Sequence, residues 1–546
     1  MHFNRREMEN KRWLAIIGVA VVVIIIAMIV VNTTRRDPVS FALITTSDLQ
    51  SQIVPFETEI DGRKLTVGGF ARIASAARKA REGADQYLIL SSGDDLIAPL
   101  LTVFGGVPEM IGMSAAGYIT AAPGNHEFDR GDSVFATALK HAGFRVVASN
   151  MEFEHEYLKE RVKKNIQWNL GDKRVFIFGL MTPDFVRVTN ARGVSVDEDI
   201  ITVARKQVEI GHAASADIIV AITHIGLDLD RKLAAEVPGI DIIVGGHSHE
   251  FAYETVGKTI IVQDGAKGSH LGVLRFELND GAIVEPSWEL VLLDSTVGAD
   301  AEIDSIMNTY WSAMNDSLGQ PVGSALVGLD ARKSSVRAGE SNLGDMIADS
   351  WLGWFAGADI ALVTGGSIRG DQIYPAGELT YLDINSIMPF RNEVLRTELT
   401  GAQLARTLEL SASAIHVEGD DCPDSCRVAY GGFLQVAGVR FTIDLSKAPF
   451  KGIFDGRNVS SVIDSGDRVS NIKVKSGDKW LPIDPILKYD VLVNSWTASG
   501  GDGHYVFLDS TVVKTPTSMY STDVLAGYIE KHNPVAPKTD GRIDLR

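Results

Sequence analysis

The stretch GYITAAPGNHEFD, residues 117–129, runs from apolar, β-prone residues into the polar motif GNHEFD. Four further apolar runs also end in an Asp or a His. They are VSFALITTSD (39–48), QYLILSSGD (86–94), ADIIVAITH (216–224) and IDIIVGGHSH (240–249). Open α/β sheets bind ligands in the crevice beyond the carboxyl ends of their strands. The pattern therefore predicts that these Asp, Asn and His side chains meet at one edge.

Around these runs, strand-like and helix-like segments alternate from about Val39 to about Leu293, which predicts a mixed α/β domain over residues 39–296. Helices are predicted in 68–83, 205–216 and 229–237, and a hairpin of added strands in 271–293. The segment DAEIDSIMNTYWSAMNDSLGQP predicts a bridging helix, which we place with its ends at 297–321 as a hinge. A second α/β domain is predicted over 322–546.

Composition narrows the class of protein. The chain has 546 residues and a net charge of −18, which argues against a nucleic-acid partner. The only two cysteines, Cys422 and Cys426, lie in DCPDSC. Their spacing fits a local disulfide if the chain is exported, and two unpaired thiols equally well. The sequence does not predict an oligomeric state.

Residues 13–31, WLAIIGVAVVVIIIAMIVV, contain no charge and are long enough to span a bilayer. Arg5, Arg6, Lys11 and Arg12 precede this run, and no small-x-small cleavage site follows it. We therefore predict an uncleaved transmembrane signal anchor, with residues 1–12 in the cytoplasm and the rest of the chain outside. The protein is then a single-pass protein of the cell membrane.

The five polar endings predict a two-metal hydrolase. A small, rigidly placed carboxylate such as Asp94 can bridge two divalent ions, and Asp48 can hold the first. Asn125, His224 and His247 offer oxygen and imidazole ligands for the second. His249 follows two residues after His247, so that both rings point to one side if the backbone is extended. This donor mixture suits Zn or Mn better than Ca.

Two residues of GNHEFD predict the catalytic pair. A cation near the leaving group helps phosphoryl transfer, and a carboxylate beside an imidazole orients it and favours its charged form. We assign His126 to transition-state stabilisation and Asp129 to the orientation of His126. Asp95 adds a spare carboxylate that we expect to cap a helix, the alternative being a group that supports the metal ligands without binding the ions.

GNHEFD (124–129) and GGHSH (245–249) resemble motifs of the calcineurin-like metallophosphoesterase superfamily, and within it of the 5′-nucleotidase family. The resemblance covers nearly the whole chain after the anchor. It implies a four-layer αββα catalytic domain and an α/β substrate domain. It also implies that Asp94 bridges the metals, that Asp48 and His249 hold the first ion, and that Asn125, His224 and His247 hold the second.

The second domain carries the substrate residues that the resemblance implies. SSVRAGESNLGD, VTGGSIRGD, MPFRN and WTASGGDG are similar to the segments of the family that bind the nucleotide. They point to a clamp of two aromatic rings on the base, with cations and polar groups around it, at Arg337, Arg369, Phe390, Asn392, Trp496 and Asp502.

The chain departs from the family pattern at a few positions. Gln50 stands where the motif Asp-x-His has its imidazole, although its carbonyl oxygen can still bind a metal. Trp496 replaces the usual Phe, and Thr364 replaces an Asn before Gly-Gly.

These features predict a metal-dependent nucleotide phosphohydrolase that uses two divalent ions and in-line attack by a metal-bridging hydroxide. Two alternatives remain open. One is a hydrolase of another phosphoester or sulfur ester, such as a UDP-sugar, a 2′,3′-cyclic nucleotide or a thiosulfonate. The other is a metal-poor nucleotide-binding protein.

Overall fold

The computed structural model describes residues 39–60, 62–189, 193–279, 281–417 and 428–546. The predicted anchor and Cys422 and Cys426 lie outside these ranges. Within the described ranges, no helix is long and apolar enough to cross a membrane.

The N-terminal domain is built on two sheets. Val39–Thr46 lies inside the larger one, where it pairs parallel with Gln86–Ser91 and antiparallel with His270–Asn279. The seven strands follow the order Ala282–Leu292, His270–Asn279, Val39–Thr46, Gln86–Ser91, Thr120–Ala121, Arg145–Val147 and Val162–Lys163. The predicted hairpin of 271–293 is confirmed, because its two strands pair antiparallel.

The second sheet has six strands in the order Phe251–Val256, Thr259–Asp264, Ile242–Val244, Ile218–His224, Lys173–Met181 and Asn165–Leu170. Its inner face packs on the first sheet, with Ile177 and Val220 against the cluster that holds Leu43 and Leu88. These strands read as nearly continuous apolar runs because both of their faces are buried.

Helices cover the outer faces of both sheets, which gives the layer order helix, sheet, sheet, helix. On the first sheet the layer includes Phe70–Ala80 and Val107–Ala116. On the second it comprises Ile200–Ala213 and Leu227–Glu236. The three helices predicted in this domain are therefore confirmed. The shorter helices are Leu100–Phe104, Asp132–Ala138, Glu156–Arg161 and Phe185–Val188, with 3₁₀ turns at His126–Phe128 and Leu139–His141.

The bridging helix is Ala301–Leu318. The Asp300 side chain caps it by accepting hydrogen bonds from the backbone N–H groups of Glu302 at 3.1 Å and Ile303 at 3.0 Å. Ile303 and Met307 are buried in the core of the N-terminal domain. The helix therefore packs on the first domain and delivers the chain to the second.

The C-terminal domain has a five-stranded sheet with a core on each face. Along Ile360–Thr364, Ala361 and Val363 enter one core while Ile360 and Leu362 enter the other, as the two-residue period of a strand requires. The strand order is Leu434–Ala437, Ile360–Thr364, Lys488–Asn494, Glu393–Thr400 and Lys514–Tyr520. A four-stranded sheet follows the order Lys479–Pro482, Val469–Ser476, Val439–Ile443 and Ile543–Leu545.

The remaining strands form two-stranded pairs: Pro321–Ala325 with Gly377–Thr380, Leu329–Asp330 with Ile373–Tyr374, Phe450–Asp455 with Asn458–Ser465, and, in the first domain, Phe56–Ile60 with Arg63–Val67 and Met151–Phe153 with Val194–Val196. The helices of the second domain are Lys333–Val336, Asn342–Trp354, Tyr381–Ile387, Gly401–Ser413, Ser495–Ala498 and Ser521–Lys531. Its 3₁₀ turns are Gly365–Ser367, Tyr430–Gly432, Gly501–Gly503 and Tyr505–Leu508.

Candidate active site

The predicted metal ligands meet at the carboxyl ends of strands from both sheets of the first domain. Asp94 lies at the centre, with its Oδ2 atom 3.2 Å from His224 Nε2. His247 Nδ1 lies 3.2 Å from the same His224 nitrogen. Asp94, His224 and His247 offer ligand atoms that all lie within 4.8 Å of one another, which is a spacing that one ion can bridge.

The other predicted ligands lie beside this group. His249 Nε2 is 3.3 Å from Asp48 Oδ1 and 3.2 Å from Gln50 Nε2. Rotation of the Gln50 amide exchanges its nitrogen and oxygen, so either atom can occupy the position beside His249. Gln50 therefore lies beside His249, one of the residues predicted to hold the first ion.

The backbone is unusual at these residues. Asp48, Gln50, Asp94, His247 and His249 have φ angles of 50°, 48°, 54°, 80° and 61°. Left-handed backbone is uncommon outside glycine, and such conformations cluster at ligand sites. The condition of extended backbone, on which both rings of His247 and His249 would point to one side, is not met, because both residues are left-handed. The two rings reach the site through this turn instead.

Glycines allow the surrounding loops to approach. A Cβ atom on Gly124 would lie 2.2 Å from Asp94 Oδ1, and one on Gly246 would lie 3.2 Å from Asp48 Oδ2. Any side chain at Gly124 would therefore displace the central carboxylate.

Glu127, which sequence reasoning missed, holds the loops around Asp94. Its buried carboxylate accepts hydrogen bonds from the backbone N–H groups of Gly124 at 2.6 Å, Asp94 at 3.1 Å, Asp95 at 2.8 Å and Leu96 at 3.2 Å. Burial and the charge of Asp94 raise the pKa of Glu127 to about 7. Its place in GNHEFD is the only sequence signal that could have pointed to it.

Asp95 does not cap a helix, contrary to the prediction. Its side chain is buried and accepts a hydrogen bond from Ser91 Oγ, which lies 2.8 Å from both carboxylate oxygens. The nearest following helix begins at Leu100 and has Pro99 at its cap position. Burial and the neighbouring Glu127 raise the pKa of Asp95 well above its usual range.

The charges and free atoms of this cluster fit metal ions. His224 Nδ1 lies 2.8 Å from the Ser92 carbonyl oxygen and donates to it, which directs Nε2 towards Asp94 and His247, where it can bind an ion. The Oδ1 atoms of Asn125 and Asp48 are buried without a hydrogen-bond partner. Buried polar atoms are normally satisfied, so these two oxygens are suited to a ligand.

The pKa directions agree with a site that needs positive charge. Burial opposes ionisation of His224, but the carboxylates of Asp94 and Asp48 outweigh it and raise its pKa to about 10. Burial and the neighbouring His224 lower the pKa of His247 to about 4. Divalent cations at this place would balance the negative charge of the carboxylates in place of a protonated His224. Both imidazoles would then be neutral.

The two residues predicted as the catalytic pair are in contact. His126 Nδ1 lies 2.7 Å from Asp129 Oδ2, and its Nε2 lies 3.8 Å from Asp94 Oδ2. Burial lowers the pKa of His126, but Asp129 and Asp94 outweigh this effect and raise it. The Arg369 guanidinium lies 2.8 Å from Nε2. Because a guanidinium only donates, Nε2 accepts here, and the imidazole carries its proton on Nδ1 towards Asp129.

An interdomain cavity of about 560 Å³ opens above these groups. Among the predicted site residues of the first domain, Asp48, Gln50 and His224 do not line it, and those that do are Asp94, Asn125, His126, Asp129, His247 and His249. The six predicted substrate residues all line it: Arg337, Arg369, Phe390, Asn392, Trp496 and Asp502. The structure thus brings the two sets of predicted residues to one cavity.

The cations and aromatic rings of the second domain already have partners. Arg337 lies over the Tyr430 ring at 5.6 Å, and Arg369 over the Phe390 ring at 5.4 Å. Burial and the nearby Arg369 lower the pKa of Arg337 to about 10. Phe390 also stacks on His126, with 6.0 Å between ring centroids.

The remaining two predicted positions combine an aromatic ring with polar atoms. Trp496 Nε1 donates to Asp502 Oδ2 at 2.8 Å. The Asn392 side-chain oxygen accepts from Ser495 Oγ at 3.5 Å, and its backbone carbonyl accepts from Ser521.

Sequence reasoning also missed Lys333 and Tyr430, which line the cavity. Lys333 Nζ lies 3.4 Å from His249 Nδ1. Burial and the cations Arg369 and Arg337 lower the pKa of Lys333 to about 8. Lys333 belongs to the segment before Arg337, which is the only signal that could have found it. Tyr430 follows the undescribed residues 418–427 and belongs to no motif.

Comparisons with known proteins agree with this arrangement. The family profile of calcineurin-like phosphoesterases matches residues 42–251, and that of the 5′-nucleotidase C-terminal domain matches residues 321–509. The 5′-nucleotidase of Bos taurus is 26% identical over 93% of this chain and 91% of its own length. The crystal structure of a 5′-nucleotidase precursor from Thermus thermophilus is 28% identical and superposes with a TM-score of 0.80 over 93% of this chain and 99% of that one.

Proposed function

The chain belongs to the 5′-nucleotidase family of calcineurin-like phosphoesterases, and on that premise we propose that it hydrolyses nucleotides to nucleosides and phosphate. One observation carries the proposal. The cluster of Asp94, His224 and His247 opens into the cavity that the cations and aromatic rings of the second domain line. A phosphate at the cluster can therefore belong to a nucleotide whose base lies in the second domain.

The proposed cofactors are two divalent ions such as Zn²⁺ or Mn²⁺. The residues proposed to hold them are Asp48, Gln50, Asp94 and His249 for the first, and Asp94, Asn125, His224 and His247 for the second. When bound, such ions polarise phosphoryl oxygens and make water a stronger nucleophile at neutral pH.

We assign to His126 the stabilisation of the negative charge that develops on the phosphate ester in the transition state. Asp129 fixes its ring through Nδ1, so that Nε2 points into the cavity. The raised pKa lets the ring carry a proton on Nε2 once Arg369 has moved to the substrate. The ring then donates to an oxygen of the transition state, and Asp129 compensates its charge.

The second domain is proposed to bind the rest of the nucleotide. Arg337 and Arg369 can exchange their ring and histidine contacts for phosphate oxygens, which are stronger partners for a guanidinium. Phe390 and Trp496 offer flat surfaces for a base. Asp502 and Asn392 offer acceptors for sugar and base groups. The ends of the helix Ala301–Leu318 are the proposed hinge for exchange between binding and release.

We further propose that residues 13–31 anchor the protein in the cell membrane, with domains 39–296 and 322–546 outside. The uncharged run and the basic residues before it support this placement. Protease treatment of intact cells would then degrade both domains, whereas a cytoplasmic placement would protect them.

The full-length protein in detergent should release phosphate from AMP or UMP when Mn²⁺ or Zn²⁺ is present. A panel with a UDP-sugar, a 2′,3′-cyclic nucleotide and a thiosulfonate distinguishes the alternative substrates by kcat/KM. His212→Ala is the matched control for His126→Ala, because His212 is exposed on the outer helix layer. Binding of AMP without any turnover by the metal-loaded protein would overturn the proposal in favour of a binding protein.

A further inference from the structure

A two-stranded hairpin, Phe450–Asp455 with Asn458–Ser465, carries an arginine at its turn. The two strands pair with each other and not with the larger sheets of the domain as the structure describes it. The turn residue Gly456 has a φ of 57°, which places Arg457 at the tip. A side chain at such a tip is held by its own contacts rather than by a surrounding sheet.

Arg457 contacts the predicted aromatic residue of the cavity. Its guanidinium lies 4.4 Å above the Trp496 ring, within the range of a cation–π interaction. One nitrogen donates to Ser499 Oγ at 2.7 Å, close to the end of the short helix that carries Trp496.

The same guanidinium reaches the first domain. Its Nε donates to the Val186 carbonyl at 2.8 Å, and its second terminal nitrogen donates to the Thr189 carbonyl at 2.8 Å. These carbonyls belong to the segment of the first domain whose Val188 and Thr189 line the cavity. All three guanidinium nitrogens therefore donate hydrogen bonds, and these bonds link the two domains.

The Trp496 ring is fixed from further directions. Asp502 accepts from its Nε1 atom, and a Cβ atom on Gly501 would lie 2.3 Å from the ring atom Cε2. The backbone of Gly501 thus lies directly against the indole. Together with Arg457 over one face of the ring, these contacts hold Trp496 in its orientation as a wall of the cavity.

We propose that Arg457 is a positioning residue for nucleotide binding: it orients Trp496 and ties that wall to the Val186–Thr189 segment when the cavity is closed. This inference rests on the proposed function, because it assigns the recognition of the base to that same site. Only a planar guanidinium can donate at once to the two backbone carbonyls and to Ser499, so the ammonium of a lysine cannot replace it. A change of this residue should act on affinity for the base-containing substrate.

The test compares AMP with ribose 5-phosphate, which keeps the sugar and phosphate but lacks the base. Arg457→Ala in the full-length enzyme should raise KM for AMP about tenfold, since a hydrogen-bonded cation–π partner of the ring is lost, with a much smaller change in kcat. KM for ribose 5-phosphate should rise by about twofold or less. Arg457→Lys, which keeps the charge without the planar guanidinium, should restore only part of the AMP affinity.

Arg440→Ala is the matched control, because Arg440 lies 4.4 Å over Trp480 in the same domain but away from the cavity. It should leave the ratio of the two KM values unchanged. Equal losses for both substrates in Arg457→Ala would show a merely structural role, and an unchanged KM for AMP would overturn the inference outright. If Arg457→Ala does not fold, the same comparison with Arg457→Lys decides. Absence of AMP turnover by the wild-type enzyme would instead refute the proposed function.

Discussion

The two sides of the interdomain cavity hold their functional groups in different ways. On the first domain, Asn125 Oδ1 and Asp48 Oδ1 are buried without hydrogen-bond partners, and several ligand residues have left-handed backbone. On the second domain, Arg337 lies over the Tyr430 ring and Trp496 donates to Asp502, although Arg337 Nε is also buried without a hydrogen-bond partner. The first side presents buried oxygens that suit the proposed ions, whereas most of the substrate groups on the second side already contact other side chains.

This difference predicts which kinetic constant depends on each side of the cavity. Preorganised groups act on the transition state and need no rearrangement, so their loss lowers kcat. Groups with provisional partners must exchange them for the substrate, so their loss acts mainly on KM. Arg369 crosses between the two sides, because its guanidinium belongs to the second domain and lies 2.8 Å from His126 Nε2 of the first.

The largest expected effect is at Asp94. Asp94→Asn removes the charge that His224, His126 and His247 face, and we expect kcat/KM to fall by about 10³-fold, the upper range for one electrostatic stabiliser. Metal content measured by mass spectrometry on the same sample should fall as well. Full metal occupancy with full activity in this variant would break the contrast between the two sides.

His126→Ala should lower kcat by about 10²-fold, the lower end of the usual contribution of a positioned acid–base group, with little change in KM. Steady-state kinetics on AMP would measure both values. A variant with a raised KM and an unchanged kcat would place His126 with the substrate-binding groups instead. His212→Ala serves as the control on the outer helix layer.

Arg337→Ala should raise KM by about 10–100-fold, as expected for one hydrogen bond to a charged group, while kcat changes little. Arg332→Ala is a control from the same segment, because the Arg332 side chain pairs with Asp330 at 2.7 Å and is 50% exposed. A fall in kcat without a change in KM would show that the second domain acts on the transition state.

The smallest effect concerns pH. The carboxylate of Asp129 helps to raise the pKa of His126, so the protonated ring persists to higher pH in the wild type. Asp129→Asn removes this charge, lowers the pKa of His126 and should move the alkaline limb of the kcat profile to lower pH. A limb that stays in place would assign that titration to another group.

Much of the fold could be predicted because burial on both faces leaves long apolar runs. The strand Ile218–His224 and the helix Ala301–Leu318 both lie where the pattern predicts them. The meeting of Asp94 with His224 and His247 also followed from the rule for strand ends. The turn at His247 and His249 did not, because a left-handed backbone leaves no trace in hydrophobic periodicity.

The supporting residues were harder to predict for a different reason. Glu127 acts by accepting hydrogen bonds from backbone N–H groups. Because every residue except proline has such a group, no particular partner side chain in the sequence indicates this role. Lys333 and Arg457 reach the site from segments whose spacing carries no ligand pattern. The roles of Lys333 and Arg457 depend on contacts between the two domains, and these contacts exist only in the folded chain.

We propose that the Asp94 cluster holds the divalent ions that nucleotide hydrolysis requires. The most direct test measures metal content per chain and phosphate release from AMP on one preparation, before and after chelation and after return of Mn²⁺ or Zn²⁺. We predict about two ions per chain in the active protein, loss of turnover with the ions, and recovery of both together. Undiminished phosphate release from the metal-free protein would contradict the claim.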